Sequence, residues 1–146
     1  MINLSELERL INKMRPIIAG WIQSWHYLTL PLTSTSWDGD AHSTEARTLI
    51  DLSAVFGVPA NVKAVLVKTT IRDSGSASSD CVLNLTPNSG AGEVAFSARC
   101  SGLANDAYTT EAGVVPCDAN GDVYYQIVAS GTGTMDVTIQ IWGYCI

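Results

Sequence analysis

Residues 135–142 read Met-Asp-Val-Thr-Ile-Gln-Ile-Trp, and apolar and polar side chains alternate along them. Alternation with a period of two is typical of a strand whose sheet has one buried and one exposed face. The predicted buried face holds Val137, Ile139 and Ile141, and the opposite face holds Thr138, Gln140 and Trp142. The run therefore predicts a half-buried β-strand.

The same period recurs upstream of this strand, from about Thr44 onward. Turn residues separate the runs: Pro87–Gly90 joins two of them, Asp118–Asp122 precedes another, and Gly131–Gly133 predicts a hairpin before the last strand. Short strands at this spacing predict an all-β fold, a jelly-roll-like antiparallel β-sandwich. The clearest predicted strands cover residues 62–71, 81–86, 94–100, 123–129 and 135–142.

The first 30 residues differ from the rest and predict a short N-terminal α-helix. Asn3 is suited to cap this helix, and Glu6 stands three residues later, as in a capping box. Apolar residues then recur at alternating spacings of three and four, which defines a heptad seam. The seam consists of Leu4, Leu7, Ile11, Met14, Ile18, Trp21 and Trp25. Leu10 and Ile17 widen it, and a wide stripe favours three or more helices, or a flat docking surface, over a two-stranded coil.

Pro16 interrupts the helical pattern. Proline removes a helical hydrogen bond and clashes with the preceding turn, so the helix is predicted to end or kink near Met14 or Arg15. The alternative to self-association or docking is an amphipathic helix that packs on its own domain.

Aromatic residues cluster behind the helix, between Trp21 and Tyr27. Tryptophan and tyrosine are enriched at interface cores, so a subunit interface is the expected place for them. The Ser- and Thr-rich residues 33–36 are typical of a linker. The sequence thus predicts an attachment or oligomerisation segment at 1–30, a linker at 31–43 and a β-sandwich domain at 44–146.

The chain has 146 residues and a net charge of −6, which is unevenly distributed. Residues 1–36 hold two acids against three bases, whereas residues 37–146 hold the other 12 acids against five bases. An acidic domain repels phosphate backbones, so nucleic acid is not an expected partner. The first residues lack the basic start of a signal peptide, and no apolar run is long enough to span a membrane. We therefore expect synthesis in a host cytoplasm without a signal peptide, and no membrane insertion.

No residue pattern in the chain predicts catalysis. His26 stands among aromatic residues and is expected in a core or an interface. His42 follows Asp38 and Asp40, a set that can bind a metal, but a turn is the favoured interpretation. We therefore expect no enzyme activity, no catalytic residues, no cofactor and no metal. The polar residues 73–80 are interpreted as an exposed loop, a kind of segment that often carries binding.

The cysteines at 81, 100, 117 and 145 form no C-x-x-C pair, so a zinc site has little support. If the turn at 87–90 closes an antiparallel hairpin, the numbers of opposed residues add to about 180. Cys81 and Cys100 add to 181, which makes them the preferred pair for a disulfide. In a reducing cytosol, two buried thiols side by side are the alternative.

Four stretches of the β-rich part carry a resemblance to a known class of protein. They are residues 57–67 (Gly-Val-Pro-Ala-Asn-Val-Lys-Ala-Val-Leu-Val), 72–77 (Arg-Asp-Ser-Gly-Ser-Ala), 115–127 (Val-Pro-Cys-Asp-Ala-Asn-Gly-Asp-Val-Tyr-Tyr-Gln-Ile) and 141–144 (Ile-Trp-Gly-Tyr). Together they resemble the β-domains of tailed-bacteriophage fibres and other exterior virion proteins. The resemblance implies a virion protein, commonly trimeric, with an N-terminal attachment segment and a distal β-knob. It leaves fibre, head-fibre and capsid-decoration proteins open, and it transfers no binding residues.

The resemblance also implies a place on the virion exterior, since phage particles assemble inside the host and leave by lysis. The expected partners are a second and third copy of the chain, other virion proteins and a host-surface glycan. A carbohydrate-binding module or lectin is the first alternative, and it should expose and cluster Trp37, Trp142 and Tyr144. A subunit of an extracellular filament is the second, and it should form head-to-tail contacts.

Overall fold

The computed structural model describes residues 3–19, 24–90 and 92–146, with side chains described from residue 3 to 13 and throughout the two later ranges. Within these ranges the chain forms two helices and nine strands. The helices are α1 (Leu4–Ala19) and α2 (Leu52–Phe56). The strands are β1 (Trp25–Leu32), β2 (Asp38–His42), β3 (Glu45–Ile50), β4 (Ala64–Asp73), β5 (Val82–Thr86), β6 (Phe96–Arg99), β7 (Thr109–Pro116), β8 (Val123–Val128) and β9 (Met135–Cys145).

The strands form two antiparallel sheets. In the five-stranded sheet, β1 and β2 pair with one side of β9, while β4 pairs with its other side and β7 pairs with β4. The four-stranded sheet has the order β3-β8-β5-β6. The chain changes sheets at every connection between β2 and β9 except the β5–β6 hairpin. This strand order is that of a jelly roll, so the predicted all-β, jelly-roll-like antiparallel sandwich with a short N-terminal helix is confirmed.

The core lies between the two sheets and is built from alternating residues. In β9 and β4, every second side chain is buried, as the sequence pattern predicts for 135–142 and 62–71. Leu83, Leu85 and Ile127 of the four-stranded sheet belong to the same core. This single apolar cluster is what fixes the relative position of the two sheets.

The predicted linker at 31–43 differs from the structure, because β1 and β2 are strands of the sandwich. Trp37 lies in the core at 6% exposure, and its carbonyl accepts a hydrogen bond of 3.0 Å from the Ile139 amide. Trp25 belongs to β1, so it does not extend the helical seam. Pairing with β9 makes strands of residues such as Asp38 and Gly39, whose own β propensity is low.

Two further local predictions are wrong. Helix α1 continues through Pro16 as far as Ala19, so the predicted end near Met14 or Arg15 is wrong, while the alternative of a kink there stays a prediction. A proline costs one helical hydrogen bond, and the remaining turns tolerate that loss here. The segment Gly131–Gly133 does not close a hairpin, since β8 and β9 belong to different sheets and do not pair.

The end of the sandwich that holds the connections after β4, β6 and β8 is organised by Asp73, which is fully buried. Its carboxylate accepts hydrogen bonds from the amides of Gly75 (2.7 Å) and Ser130 (3.1 Å), and from the hydroxyls of Ser130 and Thr134 (3.0 Å). Ser76 is also fully buried. The segment 73–80 is therefore not simply the exposed loop that its polar composition predicts.

Candidate association surface

Helix α1 presents an apolar face that nothing in the described chain covers. The Asn3 side chain caps the helix, because its Oδ1 accepts a hydrogen bond of 2.9 Å from the Glu6 amide. Every residue from 3 to 13 is exposed. The exposed fractions of the apolar side chains are 75% for Leu4, 47% for Leu7, 41% for Leu10 and 45% for Ile11. The described part of the helix thus does not pack on its own domain.

The structure separates the seven residues of the predicted seam. Leu4, Leu7 and Ile11 lie on the exposed face of α1. Met14 and Ile18 belong to the helix, but their side chains lie outside the described part of the chain. Trp21 is outside the described residues, and Trp25 opens β1. That the seam residues form an association surface remains a prediction.

A second apolar surface lies on the outer face of the five-stranded sheet, next to the start of β1. We call it the outer apolar band. Strand register aligns two rows across β1, β9, β4 and β7: Trp25, Cys145, Ala64 and Pro116 in the first, and Tyr27, Gly143, Leu66 and Val114 in the second. Ala64 and Leu66 alternate with the buried Val65 and Val67, which places both rows on the outer side.

The outer apolar band is partly open to solvent. Tyr27 is 74% exposed and Val114 is 49% exposed. The rings of Trp25 and Tyr27 stack, with their centroids 6.2 Å apart. A Cβ on Gly143 would meet the His26 carbonyl oxygen at 2.9 Å, so glycine is what lets β1 lie so close to β9. Beyond the band, the next row joins Lys68 to Gln140 and Ala112, so the apolar surface ends there.

The sequence contains no local signal for this band. Its members come from four strands, and only the register brings them together. A β-bulge also intervenes, because Leu66 pairs with Gly143 while Val67 pairs with Ile141, which leaves Trp142 as the extra residue. A bulge reverses which side chains share a face. Simple alternation from Ile141 would have placed Gly143 and Cys145 on the inner face.

The aromatic residues that would mark a lectin do not form one exposed cluster. Trp37 is buried in the core. Tyr144 is partly buried against that core, and its ring stacks on His26 at 5.3 Å. Trp142 is half-buried at the bulge, where its Nε1 donates a hydrogen bond of 3.2 Å to Gln140 Oε1.

The residues considered for chemistry take structural positions. Asp38, Asp40 and His42 belong to β2, which pairs with β9, and so do not form the turn that the sequence favours. The His42 ring stacks on Trp37. In the described ranges, no three histidine, cysteine or acidic residues lie close enough together to hold a metal ion.

Cys81 and Cys100 lie opposite each other at the open end of the β5–β6 hairpin. This hairpin is antiparallel, and its paired residues, such as Val82 with Arg99, add to 181. The Cys100 amide donates a hydrogen bond of 3.0 Å to the Cys81 carbonyl. Both side chains are fully buried, and both thiols are free. Burial, followed by the charge of Asp73, raises the pKa of Cys81 to about 12 and shifts that of Cys100 upward as well.

No protein-family model and no curated protein sequence matches the chain. Among solved structures, the tobacco streak virus coat protein is similar with 6% identity and a TM-score of 0.44, covering 85% of each chain. The PRD1 vertex protein P5 is similar with 16% identity and a TM-score of 0.46, covering 80% of this chain and 95% of that one. A tobacco streak virus coat protein dimer gives 8% identity, a TM-score of 0.46 and 84% coverage of each chain. These values are too low to assign a family or a function.

Neither α1 nor α2, the two helices in the described part of the chain, has the length and apolarity needed to cross a membrane.

Proposed function

We propose that this chain is a structural or adhesive component of a virion exterior, in which α1 joins copies of the chain and the β-sandwich projects outward. The observation that carries the proposal is the uncovered apolar face of α1 ahead of a complete jelly roll. Four large apolar side chains on that face are between 41% and 75% exposed. Burying the exposed part of each contributes roughly 1 kcal/mol, so several copies gain substantially by association.

A trimer is the assembly that we favour. Leu10 lies beside the seam of Leu4, Leu7 and Ile11, so the apolar stripe is wider than a two-stranded coil requires. The outer apolar band supports the same proposal, since Tyr27 and Val114 offer a further surface for a neighbouring copy or another virion protein. In a tailed phage, such a chain would serve as a fibre, head-fibre or capsid-decoration protein.

The loops and faces of the projecting sandwich are the surfaces that would adhere to a host. A host-surface glycan remains the ligand that we expect there. Because Trp37 is buried, the glycan would contact a surface other than the aromatic set that the sequence favours.

Association is tested with a matched pair of double variants in the full chain. Leu4→Glu with Ile11→Glu places two charges on the apolar face, seven residues apart. Ser5→Glu with Asn12→Glu places two charges at the same spacing on the polar face. We expect the wild type and the polar-face variant to sediment as trimers at micromolar concentration, and the apolar-face variant to sediment as a monomer.

A monomeric wild type would contradict self-association and leave docking on another protein as the role of α1. The virion role has its own test, which is mass spectrometry of purified particles of the virus that encodes the chain. We expect the chain in those particles and its sandwich accessible to protease in intact ones. Its absence from particles would refute the proposal.

A further inference from the structure

Strand β7 forms one edge of the five-stranded sheet, and its outer side is unpaired. Within the described ranges it pairs with β4 alone. Eight consecutive residue pairs, from Ala64 with Pro116 to Ile71 with Thr109, join the two strands without a bulge. The free edge of β7 is therefore long and regular.

The backbone groups that point away from β4 belong to Thr110, Ala112 and Val114. The Cys117 amide donates a hydrogen bond of 2.9 Å to the Lys63 carbonyl, and this pair continues the β4–β7 register by one step. Hydrogen-bonded pairs alternate with non-hydrogen-bonded pairs along an antiparallel ladder. Thr110, Ala112 and Val114 thus turn their amides and carbonyls to the free edge, where no described segment bonds to them. All three residues are exposed.

The other free edges of the two sheets carry features that hinder pairing with a further strand. The register of β1, β2 and β3 is interrupted in each case, and β2 and β3 also contain charged residues. Strand β6 has only four residues. Bulges, charges and short length are means by which proteins protect a free edge. In β7 the proline is the last residue and Glu111 is the one charge, so this edge is the best suited to pair with a further strand.

We propose that β7 pairs with β7 of a second copy of the chain, antiparallel and centred on Ala112. Ala112 then lies opposite Ala112 of the second copy, and Thr110 lies opposite Val114. The two strands exchange about six hydrogen bonds, two in each of three opposed pairs. An identical edge fits because its unpaired donors and acceptors recur at the same spacing, and because this register opposes only small or uncharged side chains on the outer face. Such a contact is isologous and joins the two five-stranded sheets into one continuous sheet.

The charge of Glu111 weakens this pairing without preventing it. In the proposed register Glu111 lies opposite Gly113 of the second copy, which has no side chain. The two Glu111 side chains are then diagonal neighbours, about 7 Å apart, where repulsion in water is modest. We expect a dissociation constant of roughly 0.1–1 mM, so that free chains at micromolar concentration do not pair, whereas copies concentrated on a particle do.

The first test uses the full-length double variant Leu4→Glu with Ile11→Glu, in which pairing through β7 is measured without association through α1. We expect a monomer at about 10 µM and a dimer at about 1 mM by small-angle X-ray scattering. Amide hydrogen exchange, followed by NMR, should slow at Thr110, Ala112 and Val114 as the concentration rises. A monomer at the higher concentration, or protection at another edge, would overturn the proposal.

This test separates pairing through β7 from trimerisation through α1. A wild type that is monomeric at about 10 µM and dimeric at about 1 mM, with the same three amides protected, would contradict trimerisation and support pairing. A strand of another virion protein is the alternative occupant of the edge. Protection of the β7 peptide in purified particles, without pairing of the concentrated chain, would assign the edge to that protein and contradict pairing between copies.

Charges at position 112 test the register. Ala112→Glu, added to the same double variant, places two carboxylates opposite each other and should weaken pairing about fivefold or more. Within the chain its neighbour across the ladder is Lys68, so the folded monomer accommodates the charge. Ala46→Glu adds the same charge to an exposed alanine on the β3 edge and should pair as its parent does.

A mixture of two variants then tests whether position 112 lies opposite itself. Ala112→Lys alone should also pair weakly, because like charges are opposed. An equimolar mixture of Ala112→Glu and Ala112→Lys opposes unlike charges and should pair more tightly than either variant alone. Unchanged pairing of Ala112→Glu, or a mixture that pairs no more tightly than its components, would refute the register centred on Ala112.

Discussion

At the scale of single residues, Asp73 is the position on which most of one end of the sandwich depends. Its buried carboxylate accepts four hydrogen bonds from two segments that follow different strands. Asparagine has one acceptor oxygen in place of two, so Asp73→Asn leaves donors unpaired in the interior. We expect this change to lower the free energy of unfolding by about 2–4 kcal/mol, measured by urea denaturation.

Asp106→Asn is the matched control for this variant. Asp106 lies at the same end of the molecule, is exposed and has a positive φ of 61°, which asparagine also tolerates. Its effect should stay within about 0.5 kcal/mol. Equal stability of the two variants would show that the hydrogen bonds to Asp73 are not what holds these connections together.

The stabilising effect of Asp73 should also depend on pH. Burial acts to raise its pKa, but hydrogen bonds from Ser130, Gly75 and Thr134 outweigh burial, and the pKa is lowered from its ordinary value. A carboxyl whose pKa is lower in the folded state stabilises the fold above its unfolded pKa of about 3.9. This contribution is lost as the pH falls through the lower folded value. The stability difference between wild type and Asp73→Asn should therefore be constant down to about pH 5 and shrink below about pH 4.

At the scale of elements, the β5–β6 hairpin shows what sequence spacing can establish. The turn at 87–90 indicates the register, and the structure has it. Opposed hydrogen-bonded positions place Cα atoms about 5.5 Å apart, which is within the range that disulfides need. The raised pKa values of Cys81 and Cys100 leave little thiolate at neutral pH.

We therefore expect Cys81 and Cys100 to resist iodoacetamide in the folded protein and to react in urea, as measured by peptide mass spectrometry. After refolding in a glutathione redox buffer, a bridge, if one forms, should join Cys81 to Cys100. The Cys100→Ser variant should then leave Cys81 unbridged. Finding Cys81 joined to Cys117 or Cys145 would contradict the pairing.

The remaining elements show where sequence pattern stops being informative. The alternation in β4 and β9 is strong because each strand has one buried face, and it predicts their core residues directly. Strand β2 contains Asp38, Gly39 and Asp40, so its extended shape comes from pairing with β9 and has no local signal. The turn at 131–133 is visible in the sequence. Whether β9 then pairs with β8 or crosses to the other sheet is decided by the packing of both sheets.

Of the candidate surfaces, too, only some can be predicted from the sequence pattern. The face of α1 can be read from the heptad spacing, because all of its members lie on one helix. The outer apolar band and the contact between the Trp37 and Tyr125 rings depend on side chains from different parts of the chain. Trp37 and Tyr125, whose rings lie 4.8 Å apart, are 88 positions apart in the chain. No spacing rule within a single element connects such residues.

At the scale of the whole molecule, the boundary between the N-terminal segment and the sandwich lies before β1. Ser24 and Ile146 exchange two backbone hydrogen bonds, of 3.1 and 3.2 Å. Trp25 pairs with Cys145, and the His26 ring stacks on Tyr144. In contrast, every residue from 3 to 13 is exposed. The sandwich thus includes residues 24–30, which the sequence assigns to the N-terminal segment.

Two truncations distinguish a boundary before β1 from a boundary at residue 30. Removing residues 1–23 should leave the urea midpoint of the sandwich nearly unchanged while it lowers the assembly to a monomer, because the association face of α1 is lost. Removing residues 1–30 also deletes most of β1. The edge of β9 near Gly143 and Tyr144 then loses the strand with which it pairs. We expect this longer truncation to lower the free energy of unfolding by about 2–4 kcal/mol, since several ladder hydrogen bonds and the packing of Trp25 and His26 are lost. If both truncations were equally stable, β1 would be an attached strand that contributes nothing to the fold, and the boundary at residue 30 would be the correct one.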